Sequence, residues 1–307
     1  MSERSPEEIG RRMNGLGLWN ALLPFNWAVK PKGVAFPYFC TVVKDAGNPV
    51  KVRFLMIEGW QTFHEYIRTR IDINYGFYSS PIELPHFELV VDAEDGVHLF
   101  RHDAGYVPRE LNEAERPLVA RILWEAFGVM MRIETDKDLP LRFAGERSMF
   151  ARVEAEAGEW SDRPLSIPNP QPHVEKVSYP KSLISKAKDL PLAGDFIVEL
   201  DFRLLPNIIT CEPRARCAYQ LAAIDAKTGE RVIWDRVSVV PDGGLRALWE
   251  GMPPRVLLRL VERGRIPGEI KVTSGRVFRL LRSLCMELPF KLSLHDSLSA
   301  LETALKQ

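Results

Sequence analysis

The chain has 307 residues, 46% hydrophobic and 27% charged, the make-up of an ordinary globular protein long enough for two domains. Forty-one basic side chains balance forty-one acidic ones, so no global field draws it to nucleic acid or to a membrane surface, and such a partner needs a local patch. The opening Met1-Ser-Glu-Arg-Ser-Pro-Glu-Glu8 lacks the order of a secretion signal, and the apolar stretch Leu16–Val29 is too short to cross a bilayer. Cys40, Cys211, Cys217 and Cys285 form no C-x-x-C pair and read as buried or idle thiols. These features predict a soluble cytoplasmic protein.

An N-terminal α+β domain is expected over residues 1–163. Strands are predicted at Tyr38–Val43 and Lys51–Ile57, then a helix carrying Trp60, Phe63, Ile67 and Ile71 at helical spacing. A hairpin, Phe87–Asp92 and Val97–Arg101, is joined by Ala93-Glu94-Asp95-Gly96. The next helix runs from about Asn112 to Glu134, burying Leu118, Ile122, Phe127, Met130 and Ile133. Asn112 and Glu115 have the spacing of a capping box, while Pro117 one turn in implies a later start or a bend. Six prolines between Asp162 and Pro191 exclude a continuous helix there, so residues 164–191 read as a Pro-rich linker with a short helical turn at Ser182–Lys188.

Residues 192–307 open with alternation: Phe196, Val198, Leu200, Phe202 and Leu204 face one way, Ile197, Glu199, Asp201 and Arg203 the other. A hairpin of Arg216–Asp225 and Glu230–Val240 follows, then helical segments at Gly243–Glu250 and Pro254–Arg263. Strand Glu269–Thr273, helix Gly275–Leu288, strand Phe290–Leu294 and helix Ser297–Lys306 complete the chain. The order β-β-β-α-β-α-β-α resembles a three-layer ribonuclease-H-like domain. The predicted fold class is therefore α+β, an N-terminal α+β domain plus this C-terminal one. The first three strands should form an antiparallel meander, extended by the last two running parallel to the first.

The run Leu18-Trp-Asn-Ala-Leu-Leu-Pro-Phe-Asn-Trp27, the segment His102-Asp-Ala-Gly-Tyr-Val-Pro-Arg-Glu-Leu111, and the ending with Ile270-Lys-Val-Thr-Ser274 and Leu301-Glu-Thr-Ala-Leu305 resemble an uncharacterised bacterial two-domain family. The resemblance covers most of the chain and implies no activity or cofactor.

Three constellations bear on chemistry. Nucleases of the ribonuclease-H-like fold hold two divalent ions with carboxylates that clamp the attacking and leaving oxygens. Asp201 (or Glu199), Glu250 and Asp296 suit three of those positions, but the fourth strand ends Val272-Thr273-Ser274, and hydroxyls are weak ligands for hard ions. The set reads as vestigial, with no catalysis expected. On the first-domain hairpin, pairing Asp92 with His98 and Glu88 with His102 gathers four possible metal ligands on one face. That face reads as solvent-facing, where cross-strand ion pairs are the commoner outcome, so no metal is expected. Arg255, Arg259 and Arg263 form one arginine stripe and Arg276, Arg279 and Arg282 another. They suit phosphates or an acidic protein face, such as that of Glu154, Glu156 and Glu159 across the domains. With no net charge to steer nucleic acid, a protein partner or interdomain contact is preferred.

No phosphate loop, nucleophile elbow or dinucleotide fingerprint is present, and no cofactor is expected. The reading is a non-catalytic binding or interaction module. Its alternative is a nucleic-acid-processing enzyme or accessory protein with a degenerate two-metal site.

Overall fold

Ser5 starts the first helix, its hydroxyl accepting the Glu8 N–H at 3.2 Å, and Pro6 takes a first-turn position where a missing N–H costs nothing. Gly17 ends it at φ 64°, a conformation that suits glycine. The computed structural model describes residues 4–17, 19–22, 25–45, 48–71, 84–92, 96–170, 176–240 and 243–306. The predicted turn residues 93–95 and part of the predicted linker, 171–175, lie outside the described residues, as do Leu18, Leu23 and Pro24 of the N-terminal run. The chain divides into two units. Unit 1 comprises Met1–Ile67, Ile82–Asp103 and Pro108–Gln171; unit 2 comprises Arg68–Pro81, Ala104–Val107 and Pro172–Gln307.

The first part of the chain contains α1 (Pro6–Leu16), α2 (Trp19–Leu22), β1 (Trp27–Lys30), β2 (Tyr38–Asp45), β3 (Asn48–Glu58) and α3 (Trp60–Ile71). Then come β4 (His86–Asp92), β5 (Gly96–His102), β6 (Arg109–Glu110), α4 (Arg116–Thr135), β7 (Ser148–Glu154) and β8 (Trp160–Ser166). The strands form one eight-stranded sheet, ordered β6-β5-β4-β3-β2-β1-β7-β8. Its neighbours are antiparallel except for the parallel pair β1 and β7.

One face of this sheet, with Trp27, Phe54, Met56, Phe87 and Leu89, packs against Ile9 and Met13 of α1 and Ile122 and Val129 of α4. On the opposite face Phe39 stacks on Phe63 of α3, centroids 4.3 Å apart, with Trp60 at 4.5 Å. Helices thus cover both faces, and β4 is buried along all but its last residue. The capping box before α4 forms as expected: Asn112 Oδ1 accepts the Glu115 N–H and Glu115 Oε2 accepts the Asn112 N–H, each at 3.0 Å. Because α4 begins at Arg116, Pro117 falls in the first turn and causes no break. The strands β7 and β8 are additional to those predicted. Their charges obscure the apolar pattern, and Arg152 of β7 is held by Glu125 of α4 and Asp162 of β8 at 2.8–2.9 Å.

Unit 2 contains α5 (Lys181–Lys188), β9 (Leu192–Ile209), β10 (Arg216–Asp225), β11 (Arg231–Val237), α6 (Gly244–Glu250) and α7 (Met252–Arg263). It ends with β12 (Ile266–Val272), α8 (Gly275–Glu287), β13 (Lys291–Leu294) and α9 (Ser299–Leu305). The five-stranded sheet has the order β11-β10-β9-β12-β13. The first three strands make the antiparallel meander, and β12 and β13 extend it parallel to β9, as the sequence predicts.

Val198, Leu200 and Phe202 of β9 face a core with Leu248 of α6, Leu257 of α7 and Leu280 of α8. Ala222 and Ile224 of β10 face the other way, onto Leu298 and Leu301 around the start of α9. The stretch read as linker supplies α5, which buries Ala187 in the first of these cores, with Tyr179, Leu183 and Ile184 packed against it. This helix is the turn expected at Ser182–Lys188, and its prolines flank it: Pro180 caps it and Pro191 follows it. The fold class is α+β in two units, and among the described residues no helix is long and apolar enough to cross a membrane.

Candidate functional site

The register of β4 and β5 decides which side chains meet. His86 lies opposite His102, Glu88 opposite Phe100, Val90 opposite His98, and Asp92 opposite Gly96. This is two residues away from the expected pairing of Glu88 with His102 and Asp92 with His98. A two-residue shift preserves the faces, so Glu88 and His102 still share one, but His86 becomes the cross-strand partner of His102. Asp92 and His98 stand nearer the turn and are not part of the group. The expectation of a solvent-facing cluster is also corrected. His86, Glu88 and His102 are only 1%, 2% and 3% exposed. Alternation identified a face but not what covers it, and α3 occupies that side of the sheet.

Glu88 is held from two directions. His102 Nε2 lies 2.6 Å from its Oε2, and Arg53 of β3 donates from Nε to its Oε1. Burial pushes the Glu88 carboxyl up, but the hydrogen bonds from His102 and Arg53 outweigh it and hold the group down at about 2. Glu88 is therefore an anion that can only accept, which places a proton on His102 Nε2.

His86 is anchored differently. Its Nδ1 lies 2.7 Å from the Leu84 carbonyl oxygen, an obligate acceptor, so that nitrogen carries the proton. Burial, reinforced by the neighbouring His102, lowers the His86 pKa to about 3 and keeps the ring neutral around neutral pH. The two imidazoles stack with centroids 4.2 Å apart and planes 12° apart. His86 Nε2 and His102 Nδ1 are buried without a hydrogen-bond partner. One donor atom from each of His86, Glu88 and His102 lies within 4.8 Å of the others, which makes this the one such group among the described residues. Imidazole nitrogens and a carboxylate in this arrangement are donors suited to a borderline divalent ion. His86 fell just outside the predicted strand Phe87–Asp92 and so escaped notice, although a histidine two residues before Glu88 on a strand must share its face.

The carboxylates singled out in unit 2 are placed apart. Glu199, 5% exposed, accepts the Leu301 N–H at 2.8 Å and thereby satisfies a first-turn amide of α9. Asp201 lies half-buried on the same sheet face, its carboxyl raised by burial against the opposing pull of Arg203. Glu250 closes α6, accepting from the Lys176 backbone and from Arg246, both at 2.9 Å. Asp296 is exposed ahead of α9. The ligand atoms of Asp201, Glu250 and Asp296 do not all lie within 4.8 Å of one another.

The arginine stripes are partly neutralised within unit 2. Arg259 reaches Asp235 at 2.8 Å and Glu262 at 2.9 Å, and Arg263 reaches Glu230 at 2.6 Å. Asp235 belongs to β11 and Glu230 immediately precedes it, so acids of the same unit, distant in sequence, supply compensation that was expected from a partner or from the face of Glu154, Glu156 and Glu159. Arg276 is buried with its guanidinium 3.5 Å from the Trp249 ring centroid, whereas Arg255, Arg279 and Arg282 are exposed. Glu154 and Glu156 pair inside unit 1, Glu154 with Arg121 and Glu156 with Lys32.

Comparison with known families adds one assignment. Residues 183–307 match the family model described as a domain of unknown function, DUF6930. The match includes the whole second sheet, from β9 to β13, together with α6 to α9. Comparison with curated proteins finds no match.

Proposed function

We propose that the protein is a non-catalytic binding module whose second unit is a ribonuclease-H-like domain without a working two-metal site. The sheet order β11-β10-β9-β12-β13, with only β10 running against its neighbours, supports the fold reading. One observation supports the absence of catalysis: the candidate carboxylates serve separate tasks, and their ligand atoms do not all lie within 4.8 Å of one another. Glu199 satisfies an amide of α9, and Glu250 ties down Lys176 and Arg246. Two-metal cleavage needs carboxylates gathered around ions about 4 Å apart.

The favoured partner is a protein. Arg259 and Arg263 are engaged by acids of the same unit and Arg276 is buried, so half of the six stripe arginines are withdrawn from a phosphate-binding surface. The four free cysteines suit a reducing, cytoplasmic setting.

The test combines cleavage and binding. Full-length protein with Mg²⁺ or Mn²⁺ is expected to leave RNA, DNA and RNA–DNA hybrids intact. Metal-dependent cleavage that disappears in Asp201→Asn would overturn the reading in favour of a nuclease. Salt-sensitive nucleic-acid binding lost on joint alanine substitution of Arg255, Arg279 and Arg282 would overturn the choice of a protein partner.

A further inference from the structure

We propose that His86, His102 and Glu88 form a binding site in unit 1 for a divalent transition-metal ion of the zinc class. This inference stands apart from the reading of unit 2, because none of its residues belongs to that unit. A buried polar nitrogen with no partner is uncommon and calls for an explanation such as an ion or a water. Here two occur on stacked rings, His86 Nε2 and His102 Nδ1.

The far nitrogen of each ring is already held by an acceptor, the Leu84 carbonyl at 2.7 Å for His86 and the Glu88 carboxylate at 2.6 Å for His102. Metal-binding histidines are oriented in this way: one nitrogen donates outward to a carbonyl or carboxylate, and the other presents a lone pair. In His86 the tautomer leaves that lone pair on Nε2. Glu88 either remains the orienting partner of His102 or supplies an oxygen, and all three residues have donor atoms within 4.8 Å of one another. Burial on a sheet covered by helices on both faces gives the rigid, dry surroundings that favour nitrogen donors over water.

Two features limit how the ion is taken. The rings are nearly parallel, 12° between planes, so their lone pairs lie in separate, nearly parallel planes; coordination of one ion by both requires one ring to turn out of the stack. Arg53 shares Glu88, so the pair is close to neutral before a dication enters. Both features select an ion held mainly by nitrogen bonding and disfavour Mg²⁺ or Ca²⁺, which depend on several oxygens.

The experiment uses metal-stripped full-length chain with Co²⁺ and Zn²⁺ alone as probes. The expected result is a visible Co²⁺ ligand-field band, displaced by Zn²⁺, with affinity falling at least roughly tenfold in His86→Ala and in Glu88→Gln. His98→Ala, on the same hairpin but outside the group, should bind like the unsubstituted protein. Should His86→Ala fail to fold, ¹⁵N spectra of the unsubstituted chain decide: Zn²⁺ should shift His86 Nε2 and one ring nitrogen of His102. Absence of ion binding, unchanged affinity in folded His86→Ala, or histidine nitrogens unmoved by Zn²⁺ would each overturn the proposal.

Discussion

Gly268 lies where β12 meets β9, the parallel pairing that joins the meander to the rest of the second sheet. A Cβ added there would meet the backbone of Gly194 in β9, at 2.7 Å from its oxygen, 2.9 Å from its Cα and 3.1 Å from its carbonyl carbon. Real Cβ atoms essentially never approach within 3.0 Å, and the obstacle is main chain, which cannot turn aside as a side chain does. Gly268→Ala must therefore spread the two strands near Leu192–Ala193 and Ile266–Pro267. Overpacking of this kind costs about 1–3 kcal/mol. At roughly 4 °C per kcal/mol for a unit of this size, the melting temperature should fall by roughly 4–12 °C.

Gly194→Ala is the matched control, because a Cβ at that position meets nothing within 4 Å. It should be neutral, or stabilising by up to about 1 kcal/mol through a less flexible unfolded chain. Thermal unfolding followed by circular dichroism measures both variants, and hydrogen exchange at Ile270 and Val272 locates the damage. An unchanged melting temperature in Gly268→Ala, or a larger loss in Gly194→Ala, would refute the close-approach argument.

Further outcomes follow from packing and charge. Leu200→Ala removes a fully buried side chain from the middle of β9 and should lower unfolding free energy by about 3 kcal/mol in urea titration. Glu199→Ala leaves the Leu301 N–H without its acceptor and should cost roughly 1–3 kcal/mol, read as faster hydrogen exchange across Ser299–Leu305. Burial raises the Asp201 pKa above 3.8, so the native state holds this proton more readily than the unfolded chain. The group's contribution to stability is then greatest at acid pH and declines as pH rises through the raised value. Asp201→Asn should remove that dependence and be the more stable protein at neutral pH, measured by urea unfolding in acid and neutral buffers. Arg259→Ala breaks ion pairs that are well exposed to water and should shift stability by less than about 1 kcal/mol in the same titration.

Periodicity carried much of the second unit. Alternation along Phe196–Leu204 identified the core face of β9, and the order of strands and helices led to the arrangement of β12 and β13 beside it. The capping residues Asn112 and Glu115 were equally legible, because a capping box is local and its spacing follows from helix geometry. Failures came where distant residues decide. The strands β7 and β8 carry charges that make sense only beside Glu125 of α4.

The His86–Glu88–His102 group shows the same division between local and distant information. The sequence by itself determined that Glu88 and His102 share a face, because strand side chains alternate whatever surrounds them. It could not determine the β4–β5 register, since pairings two residues apart expose identical faces. Nor could it determine burial, which is a property of the packed sheet and not of alternation along one strand. Only the tertiary structure settled these points. It placed His86 against His102, set Arg53 of a third strand on Glu88, and buried the group, so that Glu88 stays ionised against the pull of burial only through His102 and Arg53.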